Sequence, residues 1–131
     1  MGADCHPIDE KTHNAGLLYR EEEREMLPLC ADAGAAVMAW SPLAGGRLMD
    51  PSNEAGQRVR KACAAMSAKY GNATVDQLAY AWIMAHPSQP MPIIGTNKLD
   101  RVTACVKAAD IQLEREDWYA LWVAAKGHCG T

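Results

Sequence analysis

The chain has 131 residues, 49% of them apolar and 22% charged, with a formal net charge of −3. That allows one domain with its own core but not a closed barrel of eight strand–helix units, which needs about 250 residues. The mildly acidic balance lacks a basic stripe, which excludes a nucleic-acid footprint, and no apolar stretch is long enough to span a bilayer.

Met1–Gly16 mixes Gly, Pro, Asp, His and Asn without periodicity and reads as a loop or arm. Tyr19–Ala33 has helical spacing, with Leu18, Met26, Leu29 and Cys30 on one face and Glu21, Glu22 and Glu23 near the positive end of the dipole. Pro28 predicts a kink or early break in it, and Gly34 a C-cap. Ala35–Trp40 predicts a short buried strand. The following S-P-L-A-G-G-R reads as a bent loop with exposed amides, and polar Asp50–Gln57 as a further loop. Arg58–Tyr70 is helical through Val59, Ala62, Cys63, Met66 and Tyr70, and Gly71-Asn72 ends it. Thr74 and Gln77 form a capping-box pattern before a helix with Val75, Leu78, Ala79, Trp82 and Ile83 on one face. Pro87 and Pro90 stop that helix. Met91–Gly95 predicts a second strand. Thr96 or Asn97 is the expected cap of a helix over Lys98–Ala109, with Leu99, Val102, Val106 and Ala109 inward. A last helix over about Arg115–Lys126 carries Trp118, Leu121, Trp122 and Ala125, and Gly127 ends it.

Strands alternating with helices argue for an α/β fold of parallel βα units, although two visible strands need further sheet partners. In such folds ligands bind at the C-terminal ends of strands, and helix N-termini favour phosphate. Ser41 offers a hydroxyl, Leu43 to Gly46 amides, and Arg47 a charge. In the second loop Gly95 permits close backbone approach, and Thr96 and Asn97 can donate. Lys98 and Arg101 put two cations where the helix dipole disfavours them, which an anion between them would explain. Each loop also has a plainer reading. The first is an ordinary Pro- and Gly-containing turn, and the second a solvated helix face with Asp100 compensating the cations.

The five cysteines, Cys5, Cys30, Cys63, Cys105 and Cys129, are odd in number and show no C-x-x-C spacing. With no apolar run in Met1–Glu10, they read as free thiols of a reducing, cytoplasmic compartment. Cys5-His6 and His128-Cys129 match no zinc pattern, so no metal is expected. Cys105 reads as a buried structural thiol rather than a reactive one, His86 as a helix-end residue, and Trp118 and Trp122 as core or interface.

YREEEREMLPLC (Tyr19–Cys30), AWSPLAGGRL (Ala39–Leu48), TVDQLAYAW (Thr74–Trp82) and PIIGTNKLDRV (Pro92–Val102), in this order, resemble NADP-dependent aldo-keto reductases of the bacterial oxidoreductase and potassium-channel β-subunit-like branches. The resemblance runs from about Leu17 to near the C-terminus. It implies a partial TIM-type (β/α) barrel, the C-terminal half, over residues 17–131 behind an irregular arm of residues 1–16. It implies NADP(H) as cofactor. Ser41, Pro42, Leu43 and Gly45 would hold the pyrophosphate, and Trp40 would flank the nicotinamide. Gly95, Thr96, Asn97 and Arg101, with Lys98 as helper, would hold the 2′-phosphate and adenine, for which the planar Arg fork is well suited. The implied activity is carbonyl/alcohol interconversion by hydride transfer, on a small-molecule carbonyl if the barrel is completed.

The chain also departs from the family's pattern. Ala104 and Cys105 stand where the family has Glu and Asn against the adenine. Thr12, His13 and Asn14 stand where it has a Gln-Asn strand. The stretch over Asp50–Gln57 is shorter than the loop relatives often carry over the cofactor. The family's catalytic Asp, Tyr, Lys and His come from earlier strands, where Tyr is the general acid and Lys lowers its pKa. Tyr19, Tyr70, Tyr80 and Tyr119 match none of those motifs. The expectation is therefore a chain that holds cofactor without reducing by itself: a fragment, a split gene product or a decayed paralogue. The alternative is a non-catalytic nucleotide-binding or interaction module. Its open barrel edge would favour self-association, with no nucleic-acid or membrane partner.

Overall fold

The computed structural model describes residues 26–39, 43–87 and 89–127. The expected arm Met1–Gly16, the start of the first helix, Trp40, Ser41 and Pro42, and both Cys-His pairs lie outside the described residues. In chain order the described elements are α1 (Met26–Ala33), β1 (Met38–Ala39), a 3₁₀ helix (Ala44–Met49), α2 (Glu54–Met66), a 3₁₀ turn (Ser67–Tyr70), α3 (Val75–Met84), β2 (Met91–Pro92), α4 (Leu99–Lys107), a 3₁₀ turn (Ala108–Asp110) and α5 (Arg115–Lys126).

β1 and β2 pair in parallel, Met38 opposite Met91 and Ala39 opposite Pro92, and the Met91 N–H donates to the Val37 carbonyl at 2.8 Å. Both strands are shorter than Ala35–Trp40 and Met91–Gly95 predict. The expected burial also fails in part: Val37 is buried, but Met38 and Met91 are 37% and 49% exposed. Alternate residues of a strand point to opposite faces, so this is a strand pair covered on one face. Pro28 does not break α1. The described helix runs through it from Met26 to Ala33. Gly34 ends the helix at φ +71.

The core gathers Leu48, Val59, Cys63, Met66, Leu78, Ala79, Trp82, Ile83 and Leu121 between the Ala44–Met49 helix, α2, α3 and α5. Fully burying each of the larger aliphatic side chains contributes about 1.5–3 kcal/mol. α2 begins earlier than Arg58, which corrects the loop expected over Asp50–Gln57. Asn53 is its N-cap, its side-chain oxygen accepting from the Gly56 N–H at 2.8 Å, and Glu54 supplies a first-turn acid. Gly56 lies so close to the 3₁₀ helix that an added Cβ would be 2.8 Å from the Arg47 carbonyl oxygen and 3.0 Å from that of Leu48. Arg60 donates to the Leu48 carbonyl and, at 3.1 Å, to that of Asp50, closing the end of the same helix. Arg58 joins α2 to α5 by donating to the carbonyls of Ala124 at 2.8 Å and Ala125 at 3.2 Å.

The Thr74–Gln77 capping box forms as the sequence predicts. Beyond it Leu78, Ala79, Tyr80, Ala81, Trp82 and Ile83 are all buried, so α3 is enclosed on more than the one expected face. The indoles of Trp82 and Trp118 stack with centroids 4.7 Å apart and planes 9° from parallel. Each Nε1–H donates to the other residue's backbone carbonyl at 3.0 Å. The Trp82 carbonyl is among the last four of α3, which have no donor within the helix, so the Trp118 indole also completes that helix end.

α4 docks opposite to expectation. Leu99, Val102, Val106 and Ala109 were the predicted inward face, yet Leu99 and Val106 are 79% and 62% exposed, Val102 is half-buried and Ala109 exposed, while Cys105 and Ala108 are buried. Docking is set from α3: Gln77 Nε2 donates to the Ala104 carbonyl at 2.9 Å, and Cys105 and Ala108 pack with Tyr80. The small side chains allow the closer approach. The expected cap by Thr96 or Asn97 is also corrected. Lys98 is the N-cap, without a side-chain cap bond, and Thr96 Oγ1 instead accepts from the Lys98 N–H at 3.2 Å.

A polar cluster fastens the start of α5. The Tyr70 hydroxyl donates to Asp117 and accepts from the Glu114 N–H at 2.9 Å. Lys69 Nζ lies 2.7 Å from Glu114 and 2.9 Å from Asp117. The Tyr70 hydroxyl and then Lys69 hold the Asp117 carboxyl below its ordinary value of 3.8. Its folded value is depressed, so the stability it adds is present above that ordinary value and lost as pH falls below it. Asp117→Asn is therefore expected to flatten the acid limb of thermal midpoints followed from about pH 7 to about pH 3; an unchanged limb would contradict this linkage. Gly56→Ala is expected to lower unfolding free energy by about 1–3 kcal/mol in urea titrations, because backbone carbonyls meet the new methyl group.

Candidate nucleotide-holding site

Parallel pairing fixes where the two candidate loops lie. Because β1 and β2 run the same way in register, the chain leaves both strands at the same end. Leu43 from the first loop and Ile94 from the second then pack against one small cluster of Tyr80, Cys105 and Ala108. The expected shared rim is thus built on an apolar anchor beneath both loops.

The first loop is more ordered than its composition suggests. Leu43 is half-buried, and Ala44–Met49, including Gly45, forms the 3₁₀ helix. Gly46 has φ +92, a left-handed conformation that suits glycine. Its N–H donates to the Leu43 carbonyl at 3.2 Å, and the Leu48 N–H reaches the same oxygen at 3.4 Å. The amide expected from Gly46 is therefore spent within the loop. Arg47 is exposed, and Leu48 is buried beneath it.

The second loop leaves Gly95, Asn97, Lys98 and Arg101 exposed, with Thr96 half-buried. An added Cβ on Gly95 would meet nothing within 4 Å, so open space borders the backbone there. At the start of α4, Val102 is the first residue whose N–H reaches back into the helix, to the Lys98 carbonyl at 3.0 Å. The N–H groups of Leu99, Asp100 and Arg101 precede it and lack an intrahelical acceptor. With no capping side chain, they form an anion-ready helix start flanked by Lys98 and Arg101.

Arg101 has a partner that spacing did not disclose. Its Nη2 lies 3.3 Å from Asp76 Oδ2, with the two side chains 52% and 22% exposed. Compensation thus comes from the first turn of α3 rather than from Asp100 alone. Asp76 and the second bond of Gln77 are the site residues the sequence reading missed. The capping box marks that turn, but no local pattern says that α4 crosses it. Tyr80 lies beneath. Its hydroxyl is pushed well above the ordinary tyrosine value, chiefly by burial, then by the Cys105 and Asp76 charges, while Arg101 opposes the shift. Cys105 is buried against Tyr80, as expected of a structural thiol, and burial pushes Cys63 up to about 12.

Beside the site runs an apolar groove of about 470 Å³, lined by residues that include Tyr80, Met84, Met91, Ile94, Cys105 and Val106. Among the described residues no group of three His, Cys, Asp or Glu could hold a metal ion, and no helix is long and apolar enough to cross a membrane. The site's chemistry is electrostatic: amide donors and two cations suited to an anionic group.

The profile of the Aldo/keto reductase family matches residues 12–124. The uncharacterised oxidoreductase YcsN of Bacillus subtilis is 35% identical over 102 residues, covering 78% of this chain and 34% of that protein. The 6-dehydroglucose reductase of Novosphingobium aromaticivorans is 42% identical over 95 residues, covering 72% of this chain and 31% of that protein. A thermostable aldo-keto reductase crystallised with the inhibitor epalrestat superposes with a TM-score of 0.65 at 24% identity, over 85% of this chain and 38% of that one. The last likeness bears on the fold alone. The chain spans about a third of the length of the curated relatives it matches.

Proposed function

The chain belongs to the aldo/keto reductase family, and from that membership we propose that it is the cofactor-holding C-terminal part of an NADP(H)-dependent carbonyl reductase barrel. One observation carries this reading: both strand-to-helix loops leave a parallel strand pair at the same end and rest on one cluster. A nucleotide lying across that rim can be held at both ends.

The residues present fit the cofactor's anionic parts. Lys98, Arg101 and the uncapped start of α4 suit the 2′-phosphate. Gly95 leaves room for its approach, and Thr96 and Asn97 offer donors beside it. Family resemblance assigns the pyrophosphate to Ser41, Pro42, Leu43 and Gly45, and the nicotinamide flank to Trp40. NADPH held by these residues would supply hydride-transfer chemistry toward a small-molecule aldehyde or ketone. Binding and orientation are this chain's share, and proton delivery belongs to the Asp, Tyr, Lys and His of the family's earlier strands. On this reading the chain reduces nothing unaided.

The experiment is a titration of the purified chain with NADPH, followed by tryptophan fluorescence. Saturable quenching is expected, and its loss when Ser41→Ala and Arg101→Ala are combined. Binding no tighter than millimolar would overturn the cofactor role. Carbonyl turnover by the chain alone would overturn the assignment of catalysis to other segments.

A second reading, an interaction module, is favoured by the uncovered apolar face. Met91 and Val106 are exposed at the groove and Leu99 is exposed at the start of α4, a surface that supports self-association along the open edge of the strand pair. Sedimentation velocity is expected to find a dimer that Leu99→Lys with Val106→Lys converts to monomer. A monomeric parent chain would refute it.

A further inference from the structure

We infer that Asp76 is a specificity-determining residue that disfavours a nucleotide 2′-phosphate at Arg101; this deepens, and rests on, the cofactor-holding reading. The carboxylate reaches Arg101 Nη2 at 3.3 Å, so the guanidinium proposed to meet the phosphate already has an anionic partner. The two elements cannot readily separate. Gln77, one residue along from Asp76, is locked by the capping box and donates to the Ala104 carbonyl at 2.9 Å. Cys105 and Ala108 of the α4 side pack on Tyr80 of α3. Asp76 therefore stays beside Arg101 while the phosphate arrives.

Two consequences follow from charge. The dianionic phosphate must share the guanidinium with Asp76, and it meets a fixed negative charge within a Debye length of its seat. A nucleotide without the 2′-phosphate meets neither penalty. Arg has five donors, so Asp76 does not block the site. It lowers the preference for the phosphorylated nucleotide and moves the chain toward accepting both. Arg101 is half-exposed, and solvent-exposed charge pairs are weak, so removing the carboxylate is expected to shift the preference by about two- to fivefold.

The test uses the full chain and two probes, adenosine 2′,5′-bisphosphate and adenosine 5′-monophosphate, with dissociation constants measured by calorimetry. Asp76→Asn is expected to tighten the bisphosphate by that factor and leave the monophosphate unchanged. Asp76→Glu, which restores the charge, should return the parent ratio. High salt should shrink the difference between parent and Asp76→Asn, as expected of an interaction between exposed charges. Thermal midpoints of both variants monitor folding, since Asp76 also stands in a first helical turn. If both probes bind and Asp76→Asn leaves their ratio unchanged or lowers it, this inference falls and the cofactor reading stands. If neither probe binds any variant, both fall.

Discussion

The stacked pair of Trp82 and Trp118 ties α3 to α5. Its strength lies in its polar edges as much as in its buried faces. An indole buried without a partner for its N–H is costly, and here each satisfies its donor on the other's backbone. The stack thereby fixes the rotation of α3 against α5 as well as their separation. Leu78 and Leu121 are fully buried in the same core, and α2 closes over it with Val59 and Cys63. Replacing Trp118 by an aliphatic residue would remove one indole donor and leave the Trp82 carbonyl at the end of α3 without its partner.

Everything that positions the candidate site hangs on α3. Its first turn carries Asp76 and Gln77, its middle carries Tyr80, and its end leads to β2. The face that holds Trp82 is fixed by α5, so the face that presents Tyr80 to Cys105, Leu43 and Ile94 is fixed too. The loop from Gly95 to Lys98 is largely exposed, but the floor it shares with Leu43 is continuous with a well-packed helix. Such an arrangement keeps Lys98 and Arg101 in place without requiring the loops themselves to be rigid.

How much of this was legible depended on whether the determining contact was local. The capping box of Thr74 and Gln77 spans three residues, and it was read correctly along with the glycine stops at Gly34, Gly71 and Gly127. Asn53 is equally local, but it sat inside a polar run that resembled a loop, so the start of α2 was placed too late. The face of α4 was misread for a different reason. Leu99, Val102, Val106 and Ala109 do share a helical stripe, but periodicity identifies an apolar face without saying which neighbour covers it. Small Cys105 and Ala108 won the inner position because Gln77 and Tyr80 approach there. The Arg101–Asp76 pair joins residues 25 apart, beyond any pattern that a single sequence displays. The family assignment survives these errors, since it rests on motif order rather than on the orientation of α4.

The guanidinium of Arg58 on the carbonyls of Ala124 and Ala125 has a bearing on biosynthesis. A ribosome delivers α2 and α3 well before α5, and until the last helix clears the exit tunnel neither Arg58 nor Trp82 has its partner. Until α5 arrives, Val59, Leu78 and Ile83 lack the cover that Leu121 gives their core. Core closure therefore waits for α5, and the interval before it is when a chaperone has most to bind.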